Sequence, residues 1–196
     1  MGSKESLFGT LQRLRLESDR GAPFRFEQGL ADDEFARIEG VIGVAFPRDL
    51  RALLSEALPV SNKPGGFPEW RSASPQVLRK LVDSPTEELL WSIDVNKSWP
   101  RNWGDRPDAL HDALSVARAE LAKAPPLIPV YGHRYLPASP ARDGNPVFSI
   151  AGFDVIYYGS DLANYLDNEF LRDTRSPLFF AETPRYIEFW SDLAES

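Results

Sequence analysis

Residues 131–135, with the sequence YGHRY, bring together more side chains capable of chemistry than any other short stretch of the chain. An imidazole lies beside a guanidinium, between two phenols, in a sequence that has only two histidines. A histidine can act as a general base near neutral pH. Catalysis would also require a nucleophile, an orienting partner and an oxyanion donor, and no local motif supplies these groups. We therefore predict that the protein is not an enzyme, and we assign no catalytic residue.

Two interpretations of His133 follow from its neighbours. Gly132 favours a bulge or a close approach of backbone in a strand. His133 and Arg134 would then bond to nearby carbonyl or carboxylate groups and fix a strand junction, with Arg134 as a neighbour of the acidic C-terminal third. In the alternative, these two side chains converge with Tyr131 or Tyr158 on an open pocket that binds a small ligand or performs catalysis. A structure that buries His133 with both ring nitrogens bonded to protein would exclude the alternative.

The tryptophans form a second group of candidates. Four of the five occur between residues 70 and 103: Trp70, Trp91, Trp99 and Trp103. The loop-like segment 99–107 would form a ligand rim, because tryptophan and arginine dominate binding hot spots. The interpretation that we favour is a lid over the core, with indole N–H groups bonded to backbone. The residues predicted to contact a ligand or partner are Tyr131, His133, Arg134, Trp99, Trp103, Asp154 and Tyr158.

Metal and cofactor chemistry finds little support in the composition. The chain has no cysteine, which excludes disulfides, zinc–thiolate sites and thiol nucleophiles. Two histidines are too few for a histidine-rich centre. An all-carboxylate calcium or magnesium site stays open as an alternative, although no EF-hand spacing occurs. We expect no metal and no cofactor.

The acidic side chains are concentrated near the C-terminus. The net charge is -7, and residues 154–196 contain nine Asp and Glu but three Lys and Arg. Such a surface is a poor partner for nucleic acid. Electrostatic steering would favour a basic protein partner, and the alternative is a solvated acidic face that maintains solubility. No apolar run has the length of a signal peptide or membrane span, so we expect a cytoplasmic protein without a membrane partner.

Hydrophobic periodicity predicts helices in the first two thirds of the chain. One covers 31–42, capped by Asp32 and ended by Gly43. A second starts near Pro47, with Arg48, Asp49 and Arg51 facing outward. Its inward stripe is Leu50, Leu53, Leu54 and Ala57. A third covers 108–123, with an inward stripe of Leu110, Leu114, Ala117 and Leu121.

The rest of the chain predicts short strands and further helices. The strands cover 127–130, 135–136, 147–150 and 155–158, and residues 151–154 join the last two as a hairpin. Ser160 would cap a helix that buries Leu162, Tyr165, Leu166 and Phe170. A last helix covers 184–193. These elements predict one α+β domain, a mostly antiparallel meander packed against helices.

The order of these elements resembles the SUKH superfamily, the Smi/Knr-like domains of fungal cell-wall assembly regulators. Residues 35–39 (FARIE) and 43–54 (GVAFPRDLRALL) are similar to its opening helices, and residues 146–150 (PVFSI) and 155–166 (VIYYGSDLANYL) to its closing strands and helix. The resemblance covers about 28–172 of a single domain, 1–196, with helical extensions at both ends. It implies a non-enzymatic binding fold. Bacterial members act as immunity proteins against polymorphic toxins, and fungal relatives are regulatory scaffolds, so the implied partner is a protein, such as a basic toxin domain.

Overall fold

A computed structural model describes residues 2–173 and 175–196 and shows the predicted α+β class, with helices packed around two antiparallel sheets. The helices are α1 (Gly2–Asp19), α2 (Asp32–Ile42), α3 (Arg48–Glu56), α4 (Pro75–Val95), α5 (Leu110–Leu121), α6 (Leu162–Leu166) and α7 (Trp190–Ala194). The strands are β1 (Phe24–Gln28), β2 (Ala57–Ser61), β3 (Leu127–Tyr131), β4 (Arg134–Pro137), β5 (Val147–Ala151) and β6 (Asp154–Gly159). No helix among the described residues is long and apolar enough to cross a membrane.

The four-stranded sheet is the centre of the fold. Its order is β3-β4-β5-β6, with every pair antiparallel, which confirms the predicted meander. Successive side chains of a strand point to opposite faces of a sheet. Leu136 is therefore buried in a first core with α1, α2, α3 and α6, whereas Tyr135 is buried in a second core with α4 and α7. The sheet separates two hydrophobic cores and is covered on both faces.

The α2–α3 pair matches the sequence prediction, with corrections at its ends. Gly43 ends α2 in the left-handed region at φ +72, which glycine adopts without strain. Asp32 does not cap α2, because Ala31 occupies the N-cap position and Asp32 is the first helical residue. The Asp32 carboxylate accepts a hydrogen bond from Arg51 at 2.8 Å. Ala57 does not continue α3 but opens β2. Asp49 does not face outward, since it lies largely buried against the loop before β5.

Three elements were not predicted. Strands β1 and β2 pair across 24–28 and 57–61, although Pro59 lies within β2. Helix α4 covers Pro75–Val95 and includes Pro85 in its interior. Its first residue follows Ser74, whose side chain accepts a hydrogen bond from the backbone N–H of Val77. Helix α4 carries Trp91, which therefore belongs to a helix surface and not to the tryptophan loop.

The remaining helices differ from prediction in detail. Asp161, and not Ser160, caps α6, because its carboxylate accepts the backbone N–H of Asn164 at 2.8 Å. Helix α6 continues into one π-helical turn, Asp167–Leu171. The last helix is restricted to α7, so residues 184–189 are not helical. In α5 the buried residues are Ala113, Ala117 and Leu121, while Leu110 is exposed.

Candidate functional site

The β3–β4 turn places His133 in the wall of a cleft. Gly132 and His133 form the turn between the two strands, and the backbone N–H of Gly132 donates to Gly66 O at 3.1 Å. The predicted close backbone approach at Gly132 is thus confirmed. The cleft has a volume of about 430 Å³ and lies between this turn, the loop around Gly65–Pro68 and helix α4.

The side chain of His133 does not fix the strand junction, where its backbone carbonyl takes part by accepting the N–H of Ile150 at 3.0 Å. It is exposed, and its ring makes no hydrogen bond to the described part of the protein. The part of His133 that is buried against the cleft wall loses hydration, and this effect lowers the pKa of His133 most. The neighbouring guanidinium of Arg134 lowers it further. Its imidazole is therefore neutral at pH 7, a polar group that both donates and accepts hydrogen bonds. His133 is not buried with both ring nitrogens bonded to protein, so a ligand site beside it is not excluded.

Arg134 performs the structural role that was predicted for the pair. Its Nη1 donates to Ser149 Oγ at 3.1 Å, and its guanidinium carbon lies 3.9 Å from the centre of the Tyr158 ring. Its Nε lies 3.4 Å from Glu169 Oε2, with only 12% and 19% of the two side chains exposed. The predicted contact of Arg134 with the acidic C-terminal third is thus confirmed. The guanidinium ties β4 to β5, to β6 and to the π-helical turn.

A buried polar cluster surrounds this ion pair. The hydroxyl of Tyr165, Arg134 Nε and Glu169 Oε2 are all buried and accept or donate no hydrogen bond within the described residues. Burial raises the pKa of Glu169, against the lowering effect of Arg134, and burial also raises the pKa of Tyr165 well above its usual value. Tyr131 packs edge-on against Phe170, with 5.0 Å between ring centres. The cluster is closed, so the predicted convergence of these side chains on an open pocket is wrong.

Adjacent residues of β4 therefore have different surroundings. Arg134 faces the closed cluster, and Tyr135 faces the second core beside the cleft. Burial, and then the charge of Glu88, raise the pKa of Tyr135 to about 12, so its phenol is neutral. The sequence prediction missed the α4 residues that line the cleft, Lys80, Ser84 and Glu88. Their spacing of four residues places them on one helix face and would have identified them once α4 was recognised.

The tryptophan segment forms a lid. Trp99 Nε1 donates to Gly104 O at 2.8 Å, which confirms the predicted indole–backbone bond. Trp103 contacts Trp99 and Phe153, with ring centres 5.5 Å and 5.8 Å apart, and packs on the second core. Trp99 and Phe153 also line a second cleft of about 350 Å³. Asp154 is exposed at the start of β6, opposite Ala151, and does not line either cleft.

A third feature is an exposed aromatic segment, described at residues 172–173 and 175–189 and called here the aromatic segment 172–189, that sequence reasoning did not single out. Two buried asparagines hold its backbone at Phe179. Asn164 Nδ2 and Asn168 Nδ2 donate to Phe179 O at 2.9 Å and 3.0 Å, and Phe179 N donates to Asn168 Oδ1 at 3.2 Å. The ring of Phe179 nevertheless remains 51% exposed, and Phe180 and Tyr186 are 36% and 54% exposed. These bonds fix the backbone at Phe179, while Phe179, Phe180 and Tyr186 remain exposed.

Asp49 belongs to a separate polar group at the start of α3. Its Oδ1 accepts the backbone N–H of Leu50 at 2.9 Å, and its Oδ2 accepts that of Gly144 at 3.3 Å. Burial, aided by the charge of Asp143, raises the pKa of Asp49 to about 6 against the lowering effect of these bonds. Arg185 closes the group by donating to Asp143 O and Asn145 Oδ1 at 3.1 Å and 2.7 Å. Among the described residues, no three acidic or histidine side chains are arranged to hold a metal ion.

Comparison of the chain with protein-family models, with curated protein sequences and with solved structures found no match.

Proposed function

We propose that the protein is a cytoplasmic, non-enzymatic binding module of the immunity type, which contacts a basic protein partner through the aromatic segment 172–189. The observation that supports the proposal is the clamp on Phe179. Three hydrogen bonds from two buried asparagines hold a residue whose ring is half exposed. The bonds satisfy the amides of the two buried asparagines through the backbone, and none of them requires an aromatic side chain at position 179.

The clamp gives Phe179 the properties of an interface anchor. Aromatic residues are enriched in binding hot spots, and a fixed backbone reduces the conformational entropy that is lost on binding. Arg172 adds to this order, because its guanidinium carbon lies 5.2 Å from the Phe179 ring centre. An unconstrained loop with three exposed aromatic rings would lose part of its binding energy to ordering.

Charge indicates the type of partner. The segment and its surroundings contain Glu182, Glu188, Asp192 and Glu195, and residues 154–196 have six more acidic than basic side chains. A basic surface on the partner would be attracted to this region and would bind more weakly as salt rises. The same charge disfavours nucleic acid. The resemblance to immunity-type SUKH domains supports a toxin as the basic partner.

The proposal is tested by partner capture followed by measured affinity. Tagged protein is used at low ionic strength to purify partners from the native host, and each partner is then titrated calorimetrically with wild type and Phe179→Ala. We expect a basic partner whose affinity falls about 30-fold on truncation, the effect of losing a hot spot of about 2 kcal/mol. Trp91→Ala is the matched control, because Trp91 is 57% exposed but lies on α4; its affinity should equal that of wild type.

Two outcomes would count against the proposal. Recovery of no protein partner at low salt would oppose any binding function of this kind. A partner that binds Phe179→Ala and wild type equally would place the interface elsewhere. A captured partner that depends on Phe179 but has no toxic activity would indicate a regulatory scaffold, the other function that the resemblance implies.

A further inference from the structure

We propose that the cleft beside His133 binds an extended peptide of three or four residues with free termini, whose carboxylate pairs with Lys80 and whose ammonium pairs with Glu88. This site is separate from the aromatic segment 172–189 and does not depend on a protein partner.

The walls of the cleft are rigid elements. One wall is helix α4 and the other is the β3–β4 turn with its adjoining strands. The loop that closes one end is tied to the turn by the bond from Gly132 N to Gly66 O. A volume of about 430 Å³ lies in the ordinary range for small-molecule sites.

The two charged side chains of the cleft, Lys80 and Glu88, lie eight residues apart on one face of α4. Lys80, Ser84 and Glu88 line the cleft and follow each other at intervals of four residues. Eight residues of α-helix correspond to about 12 Å. Among the described residues, neither Lys80 nor Glu88 has an oppositely charged group within 4.0 Å, and Ser84 Oγ contacts Glu88 Oε1 at 3.5 Å. The cleft therefore presents a cation and an anion that do not neutralise each other.

The cleft lining combines apolar surface with neutral polar groups. Val77, Leu81 and Pro129 belong to this lining, and Val77 is 49% exposed. His133 and Tyr135 line the facing wall without charge and can bond to peptide amides. An extended peptide rises about 3.3 Å per residue, so three or four residues span the distance between the two charges. Both the termini and the middle of such a ligand find complementary groups.

The test uses tetra-alanine with free termini and the same peptide acetylated and amidated. Each is titrated into uniformly ¹⁵N-labelled protein, and backbone amide shifts are followed by NMR. We expect saturable shifts at Gly132 and His133 with the free peptide and affinity lower by about tenfold or more with the capped peptide. Lys80→Gln and Glu88→Gln should each weaken binding of the free peptide by about tenfold, since each removes one charge-assisted contact.

Matched controls distinguish the cleft from general charge effects. Glu87→Gln changes the neighbouring, exposed glutamate of α4, and Lys123→Gln changes a lysine of the α5 end that pairs with Glu120; both should bind like wild type. Equal affinity for free and capped peptide, shifts outside the cleft, or no saturation at millimolar peptide would each overturn the proposal. None of these results bears on the partner-binding role of Phe179.

Discussion

Replacement of Asp49 by asparagine should remove the loss of stability that ionisation of this carboxyl causes as pH rises. Asp49 is largely buried, and asparagine, which has a single acceptor oxygen, keeps one of the two bonds from the backbone N–H groups of Leu50 and Gly144 at every pH. Burial raises the pKa of Asp49 from 3.8 to about 6, so the native state resists its ionisation more than the unfolded chain does. The raised pKa therefore reduces the free energy of unfolding as pH increases from about 4 to 6, and the reduced value persists above pH 6.

The size of the effect follows from the same values. A rise in pKa from 3.8 to about 6 corresponds to about 3 kcal/mol between full protonation and full ionisation. About 2 kcal/mol of this falls between pH 4.5 and 7.5, a range over which stability can be measured. We expect the difference in unfolding free energy between Asp49→Asn and wild type to move by this amount in favour of the variant as pH rises.

The assay is urea unfolding followed by tryptophan fluorescence at a series of pH values. Asp33→Asn is the matched control, because Asp33 also lies in the first turn of a helix but is exposed. Its difference from wild type should change by less than about 0.5 kcal/mol across the series. The difference in unfolding free energy between Asp49→Asn and wild type could instead stay constant with pH or move in favour of wild type as pH rises. Either result would refute the assignment of Asp49 as a carboxyl whose ionisation opposes folding.

Two further predictions concern the closed cluster. Tyr165→Phe removes a buried hydroxyl that has no partner among the described residues, so urea unfolding should show a gain of about 1 kcal/mol; a loss of similar size would reveal a bond from that hydroxyl. Arg134→Met leaves the carboxylate of Glu169 buried without its cation and should cost about 3 kcal/mol. The double variant Arg134→Met, Glu169→Gln should recover part of this loss, and no recovery would mean that Arg134 acts through packing alone.

The local sequence pattern was sufficient to predict those helices and strands whose apolar residues recur regularly and whose ends carry clear capping or turn residues. Gly43 ends α2 because it adopts a left-handed conformation that other residues avoid, and the strands of the meander follow one another with short connections. The sequence prediction missed elements whose formation depends on contacts with residues distant in the sequence. Pro85 suggests a helix end, yet α4 continues through it because the helix packs on the second core. Strand β2 forms because it pairs with β1, which lies far away in the sequence.

The site was predictable only in part for the same reason. The candidate residues Tyr131, Arg134 and Tyr158 do come together, but sequence could not tell that Glu169 and Tyr165 close over them. Adjacent positions such as His133 and Arg134 looked like one functional unit. His133 lies in the turn before β4 and Arg134 is the first residue of that strand, so different neighbours determine what each side chain contacts.

The alternation within β4 bears on which changes in chain length the protein tolerates. Tyr135 and Leu136 are neighbours that fill different cores. Deletion or insertion of one residue here would reverse the direction of the strand's later side chains, turning Tyr135 toward the first core and Leu136 toward the second core and the cleft. In a sheet with one solvated face, such a change would disrupt one hydrophobic core. In this sheet it would disrupt both cores. Length variation should therefore be confined to connections such as 138–146, and the β4 strand should be nearly constant in length among functional variants.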